Sequence, residues 1–133
     1  MSGEAVVLVT VPSRRHGNAI AEALVGEHLA ACVNIVGPIR SVYHWEGKLC
    51  RDAEYLLIIK TRRQRYRALE DRVIELHPYD VPEVIALPIE TGSAAYLRWI
   101  RTAVEENQKA KGKRQKRVLS EVEGAKGKTL VED

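Results

Sequence analysis

The stretch His77-Pro78-Tyr79-Asp80-Val81-Pro82-Glu83-Val84-Ile85-Ala86-Leu87-Pro88 decides how this chain is read. Its three prolines each fix their own φ and push the preceding residue, here His77, Val81 and Leu87, out of the helical region. A helix ahead of the run must therefore stop at Leu76, and the backbone beyond it is extended. Residues 84–89 can pair as a strand only where the missing N–H of Pro88 is tolerated, at a sheet edge or a bulge. The same rigid entry displays a histidine, a tyrosine and two carboxylates just before the strand, which is a good way to build a site.

Working outward, the segment before His77 carries Tyr66, Leu69, Val73 and Leu76 on one helical stripe. Arg62, Arg63, Arg65, Arg67 and Arg72 lie elsewhere, beside Glu70, Asp71 and Glu75, as on a solvated face. Thr61, with Gln64 three residues later, matches a capping box and predicts a helix starting directly after it. Residues 52–60 alternate as a strand, with Tyr55, Leu57 and Ile59 on one face and Leu56 and Ile58 on the other. Glu46-Gly47-Lys48 reads as a hairpin turn, the glycine supplying a positive φ. The outgoing arm is Ile39-Arg40-Ser41-Val42-Tyr43-His44-Trp45, preceded by a strand over residues 31–36 that pauses at Gly37-Pro38.

Residues 5–11 are rich in β-branched residues and apolar on both alternating faces, the pattern of a strand covered on both sides. Ser13 is a candidate N-cap for a helix carrying Ile20, Ala23, Leu24 and Leu29. Beyond the fourth strand, Tyr96, Leu97, Ile100, Ala103 and Val104, with Trp99, make a last helix. The order is β-α-β-β-α-β-α. It predicts an α+β, ferredoxin-like βαββαβ fold with an appended C-terminal helix. The two crossover helices cover one face of the sheet, yet the first and third strands are apolar on both faces. About five large side chains at roughly 1.5–3 kcal/mol each should not be left in water. An oligomer interface is the expected cover, with the aromatic hairpin as an arm reaching a neighbour; the appended helix is the alternative.

Charge divides the chain. Residues 1–106 carry 13 Lys/Arg and 14 Asp/Glu, whereas residues 107–133 carry 8 and 4, so the net +3 belongs to the tail. A domain over 1–106 and a basic, disordered tail over 107–133 are expected. The domain shows no field suited to phosphate backbones, so no specific nucleic-acid partner is expected; weak polyanion binding by the tail is. Two cysteines do not make a disulfide framework and suit a reducing, cytoplasmic setting. The apolar run at 5–11 is too short to span a membrane, and Glu4 precedes it where a signal peptide would carry positive charge.

With the elements in this order, the chain resembles the CutA divalent-cation-tolerance family. The phrases that carry the likeness are Leu29-Ala30-Ala31-Cys32-Val33-Asn34-Ile35, Ser41-Val42-Tyr43-His44-Trp45-Glu46-Gly47-Lys48 and Leu57-Ile58-Ile59-Lys60-Thr61. They continue with His77-Pro78-Tyr79-Asp80-Val81-Pro82-Glu83 and Tyr96-Leu97-Arg98-Trp99-Ile100. The resemblance implies a homotrimer similar to the PII signalling proteins, cytoplasmic residence, and an association with copper and other divalent cations. It also implies two missing donors: Val9 stands where some members carry cysteine, and Leu76 where some carry a second histidine.

Cys32 and His77 are the candidate metal ligands, a thiolate and an imidazole suited to copper or zinc, with Asp80 or Glu83 as a third donor. No tight C-x-x-C-like spacing supports them. Cys32 after two alanines is also the pattern of a small core residue, and His77 before proline that of a helix C-terminus. Asn34, Trp45, Lys60, Tyr79 and Glu83 form a second candidate group, lining an intersubunit cleft for a small anionic ligand, as in a PII-like regulatory module. Trp45 suits an interface anchor better than a stacking platform. No nucleophilic triad, P-loop or dinucleotide fingerprint occurs in the sequence, so a binding protein rather than an enzyme is expected.

Overall fold

The computed structural model describes residues 3–105; the expected tail over 107–133 lies outside the described residues. Eight residues of β1 (Glu4–Val11) lead into α1 (Arg14–Gly26), followed by β2 (Cys32–Trp45) and β3 (Lys48–Arg62). A 3-10 turn (Arg63–Arg65) then opens α2 (Tyr66–Leu76), and β4 (Val84–Pro88) and α3 (Ala94–Ala103) complete the domain. The strands form one antiparallel sheet in the order β2-β3-β1-β4. This is the ferredoxin-like arrangement with its appended helix. Pro88 sits on edge strand β4 opposite Ala5, where the sheet tolerates its missing donor.

The core lies between the sheet and the two crossover helices. Val7, Val9 and Val11 of β1 and Leu57 and Ile59 of β3 meet Ile20 and Leu24 of α1 and Leu69 and Val73 of α2. Gly17 makes this approach close: a Cβ there would stand 3.3 Å from Leu57 Cδ2 and 3.4 Å from Val11 Cγ2. The glycine that weakens α1 as an isolated helix therefore seats it on the sheet. Ser13 caps α1, its hydroxyl accepting from the His16 amide. Leu29 is buried in the loop beyond α1 rather than on the helix itself.

Two local expectations are corrected. Thr61 does not cap α2: it belongs to β3 opposite Ala5, and its buried hydroxyl donates to the Leu29 carbonyl at 2.7 Å. The strand also starts earlier than residue 52. It runs from Lys48 because the turn at Glu46 (φ 52) and Gly47 (φ 77) permits immediate pairing of Trp45 with Lys48. The pause at Gly37-Pro38 is a shift of register between Val36 and Ile39 inside one continuous strand.

On the other face, Val6, Leu8, Leu56 and Ile58 are half-buried, while Val36, Ile85 and Leu87 are 44%, 49% and 50% exposed. The helix α3 covers only one end, packing Ile100 and Val104 on Ala31. Arg101 there bonds Glu4 at 3.2 Å, and the ring of His28 donates from Nδ1 to the Ala103 carbonyl at 3.0 Å. Among the described residues, much of the apolar sheet face is left without cover.

Candidate functional site

The residues singled out from the sequence fall in three places. The first is the start of β2. Cys32 pairs with Lys60 across the ladder, and Asn34 with Ile58, so all three polar groups share the open face. Lys60 Nζ donates to Asn34 Oδ1, and the Cys32 thiol lies 4.0 Å from the same oxygen. Tyr96 of α3 lies close enough for burial, with Cys32 beside it, to raise its phenol pKa.

The second place is the opposite end of the sheet, around the proline-fixed entry. His77 caps α2 in an extended conformation and is 8% exposed. Its Nδ1 accepts from the Tyr79 amide at 3.1 Å, so its Nε2 carries the proton and donates to the Thr10 carbonyl at 2.7 Å. Both ring nitrogens are thus engaged. The Tyr79 ring lies 4.7 Å from the imidazole, and its hydroxyl donates to Glu54 at 2.8 Å. Burial, then that hydrogen bond to Glu54, push the Tyr79 phenol well up. Glu83 accepts from the Thr10 hydroxyl at 3.5 Å, and on the adjacent arm Tyr43 donates to Asp52. The bond to Asp52 raises the Tyr43 phenol to about 12.

The third place is the hairpin tip, where Trp45 is 50% exposed. The expected cleft is therefore divided within one subunit. Asn34 and Lys60 come together, Tyr79 and Glu83 share the proline-rich entry, and Trp45 stands apart. Sequence reading missed the phenol–carboxylate pairs; strict alternation along the arm would have placed Tyr43 on the face of Asp52, whereas Tyr79 reaches Glu54 only through the fold.

The two proposed metal ligands do not meet in one subunit. Cys32 belongs to the row of Lys60 and Val6, whereas His77 bonds the row of Thr10. Four strand residues separate those rows, about 13 Å at ~3.3 Å per residue. Among the described residues no group of three His, Cys, Asp or Glu side chains stands ready to hold a metal ion. The donors of a single subunit do not fit a closed metal centre.

The model of the CutA1 divalent ion tolerance protein family matches residues 5–103. The chain belongs to the CutA1 family. It is 54% identical over 102 residues to the chloroplastic protein CutA 1 of Oryza sativa, covering 77% of this chain and 58% of that protein. To the divalent-cation tolerance protein CutA of Thermus thermophilus it is 52% identical over 98 residues, covering 74% and 95%. It spans little more than half of the human protein CutA, at 47% identity, with 73% of this chain and 54% of that protein covered. The solved Thermus thermophilus CutA1 superposes with a TM-score of 0.75 at 50% identity, covering 77% of this chain and 99% of that one. CutA1 from Oryza sativa gives 0.76 at 53%, covering 78% and 95%. No helix among the described residues is long and apolar enough to cross a membrane. Compartments differ among relatives: the rice protein is named chloroplastic, and the Archaeoglobus fulgidus structure, 39% identical and covering 77% of this chain and 99% of that one, is described as periplasmic.

Proposed function

We propose that this CutA1-family chain is a non-catalytic, homotrimeric divalent-cation tolerance protein of the cytoplasm that binds copper, other divalent cations being weaker ligands. The observation that supports assembly is the open sheet face, where Val36, Ile85 and Leu87 stand about half exposed beside Leu8 and Ile58. Cys32 and Cys50 are both free thiols, which suits a reducing compartment.

His77 and Cys32 are the proposed copper donors, acting from separate surfaces of the subunit. Support comes from donor chemistry, an imidazole and a thiol, and from the family's name. The geometry sets the strength. His77 can offer a lone pair only by giving up its bond from the Tyr79 amide or its bond to the Thr10 carbonyl. Each exchange costs about 0.5–1.5 kcal/mol, so binding is weak. Titration calorimetry of wild type, His77→Ala and Cys32→Ala with copper tests this. Loss of heat in His77→Ala is expected; equal binding by all three proteins would move the copper to other surface donors such as His16 or His44.

A second reading is a regulatory module that takes a small anionic ligand between subunits. The observation favouring it is the Lys60 ammonium held by Asn34 beside an apolar face.

A further inference from the structure

The arm of β2 and β3 outruns the rest of the sheet. The last pair of β1 joins Val11 to Tyr55, so residues 39–54 form a two-stranded ribbon with no third strand beside it among the described residues. Where the ribbon leaves the sheet there is an open depression of about 370 Å³. It is lined by Pro38, Ile39 and Arg40 from one strand and Arg51, Asp52 and Ala53 from the other. That volume lies within the range of about 300–1,000 Å³ usual for small-molecule sites.

The register determines its charge. Arg40 pairs with Ala53 and Arg51 with Val42, so the two arginines are diagonal neighbours on one face, a relation that spans roughly 7–8 Å in antiparallel pairs. Asp52, like Ile39, is of opposite parity yet lines the depression, and its carboxylate is taken by the Tyr43 hydroxyl. Neither Arg40 nor Arg51 makes an ion pair or side-chain hydrogen bond with another described residue. A third guanidinium stands nearby, since Arg14 lies 5.7 Å over the ring of Tyr55, the next residue along β3 on the Ala53 face. Two unneutralised guanidinium forks thus flank a depression whose remaining walls are the apolar Pro38, Ile39 and Ala53 and the Asp52 carboxylate engaged by Tyr43.

We propose that this depression binds a small organic phosphate, with phosphoryl oxygens bridging Arg40 and Arg51 and the organic part against Pro38, Ile39 and Ala53. A carboxylate is planar and is satisfied by one bidentate fork. A phosphoryl group presents oxygens in three directions and accepts from two forks at once. The location is separate from His77, Cys32 and Lys60, so this inference does not rest on the copper reading and either can fail alone. Both arginines are exposed, so the affinity is modest and falls with added salt.

The test is calorimetric titration of the full-length protein with phenyl phosphate, inorganic phosphate and benzoate. Saturable binding of phenyl phosphate is expected, tighter than either of the others. Arg40→Gln and Arg51→Gln should each weaken it by about tenfold, whereas Arg67→Gln, on the exposed side of α2, leaves it unchanged. Native mass is measured alongside. If a glutamine variant changes assembly, Arg40→Lys and Arg51→Lys replace it and should bind more weakly than wild type, because an ammonium cannot form the two-toothed bond. Absence of saturation at millimolar phenyl phosphate, equal binding of benzoate or inorganic phosphate, or an equal loss in Arg67→Gln would overturn the assignment.

Discussion

The carboxylate of Glu54 is 7% exposed and takes the hydroxyl of Tyr79 at 2.8 Å. A buried anion is tolerable only with a donor aimed at it. Tyr79→Phe removes that donor and should destabilise the protein by about 1–3 kcal/mol in urea unfolding. The phenol side has a pH consequence. Burial and Glu54 raise the Tyr79 value above its ordinary 10.0, and Asp52 raises Tyr43 to about 12. The fold therefore favours both neutral phenols. Their contribution is complete below the unfolded value of about 10 and is lost as pH climbs through the higher folded values. Wild-type stability should fall more steeply from about pH 10 to pH 12 than that of the Tyr43→Phe/Tyr79→Phe double variant. A parallel fall in the two proteins would show that these bonds do not link stability to pH. The sequence showed the tyrosines but not their partners, because Tyr79 and Glu54 are 25 residues apart and meet only through the fold.

At the scale of elements, the legible features were those dictated by backbone chemistry. Prolines ended α2 at Leu76 and confined β4 to an edge, and Ser13 capped α1. Thr61 shows where such reading stops. Its hydroxyl matched a local cap, but burial beside α1's exit loop gave it a better acceptor in the Leu29 carbonyl. A local motif competes with tertiary bonds that the sequence does not display. The arm exposes two aromatics and an aliphatic side chain: Tyr43, Trp45 and Val42 are 40%, 50% and 57% exposed. A two-stranded ribbon alone is marginal in water, so it gains from a neighbour. Trp45→Ala should weaken self-association by about 2 kcal/mol, the scale of an aromatic hot spot, and Arg67→Ala by none. Concentration-dependent sedimentation measures both, and equal shifts would remove the arm from the interface.

For the whole molecule, the decisive quantity is the apolar area that α3 fails to cover. Ile85 and Leu87 on β4, Leu8 on β1 and Val36 on β2 lie on the open face, on strands that the sheet order spreads from one edge to the other. Each side chain taken fully out of water contributes about 1.5–3 kcal/mol. The sum rivals the ~5–15 kcal/mol by which a domain is stable. A substitution here therefore separates folding from assembly. Ile85 is 49% exposed in the subunit, so an aspartate at this position is solvated in the monomer and costs the core little. In an assembly that closes this face, the same carboxylate is buried without a partner, which typically costs several kcal/mol. Ile85→Asp should therefore sediment at the 14.9 kDa of one subunit while keeping the far-ultraviolet dichroism of the wild type. Wild type should sediment at three times that mass. An Ile85→Asp protein that keeps the larger mass would show that the open face is not what the subunits share, and would leave the exposed arm as the remaining contact.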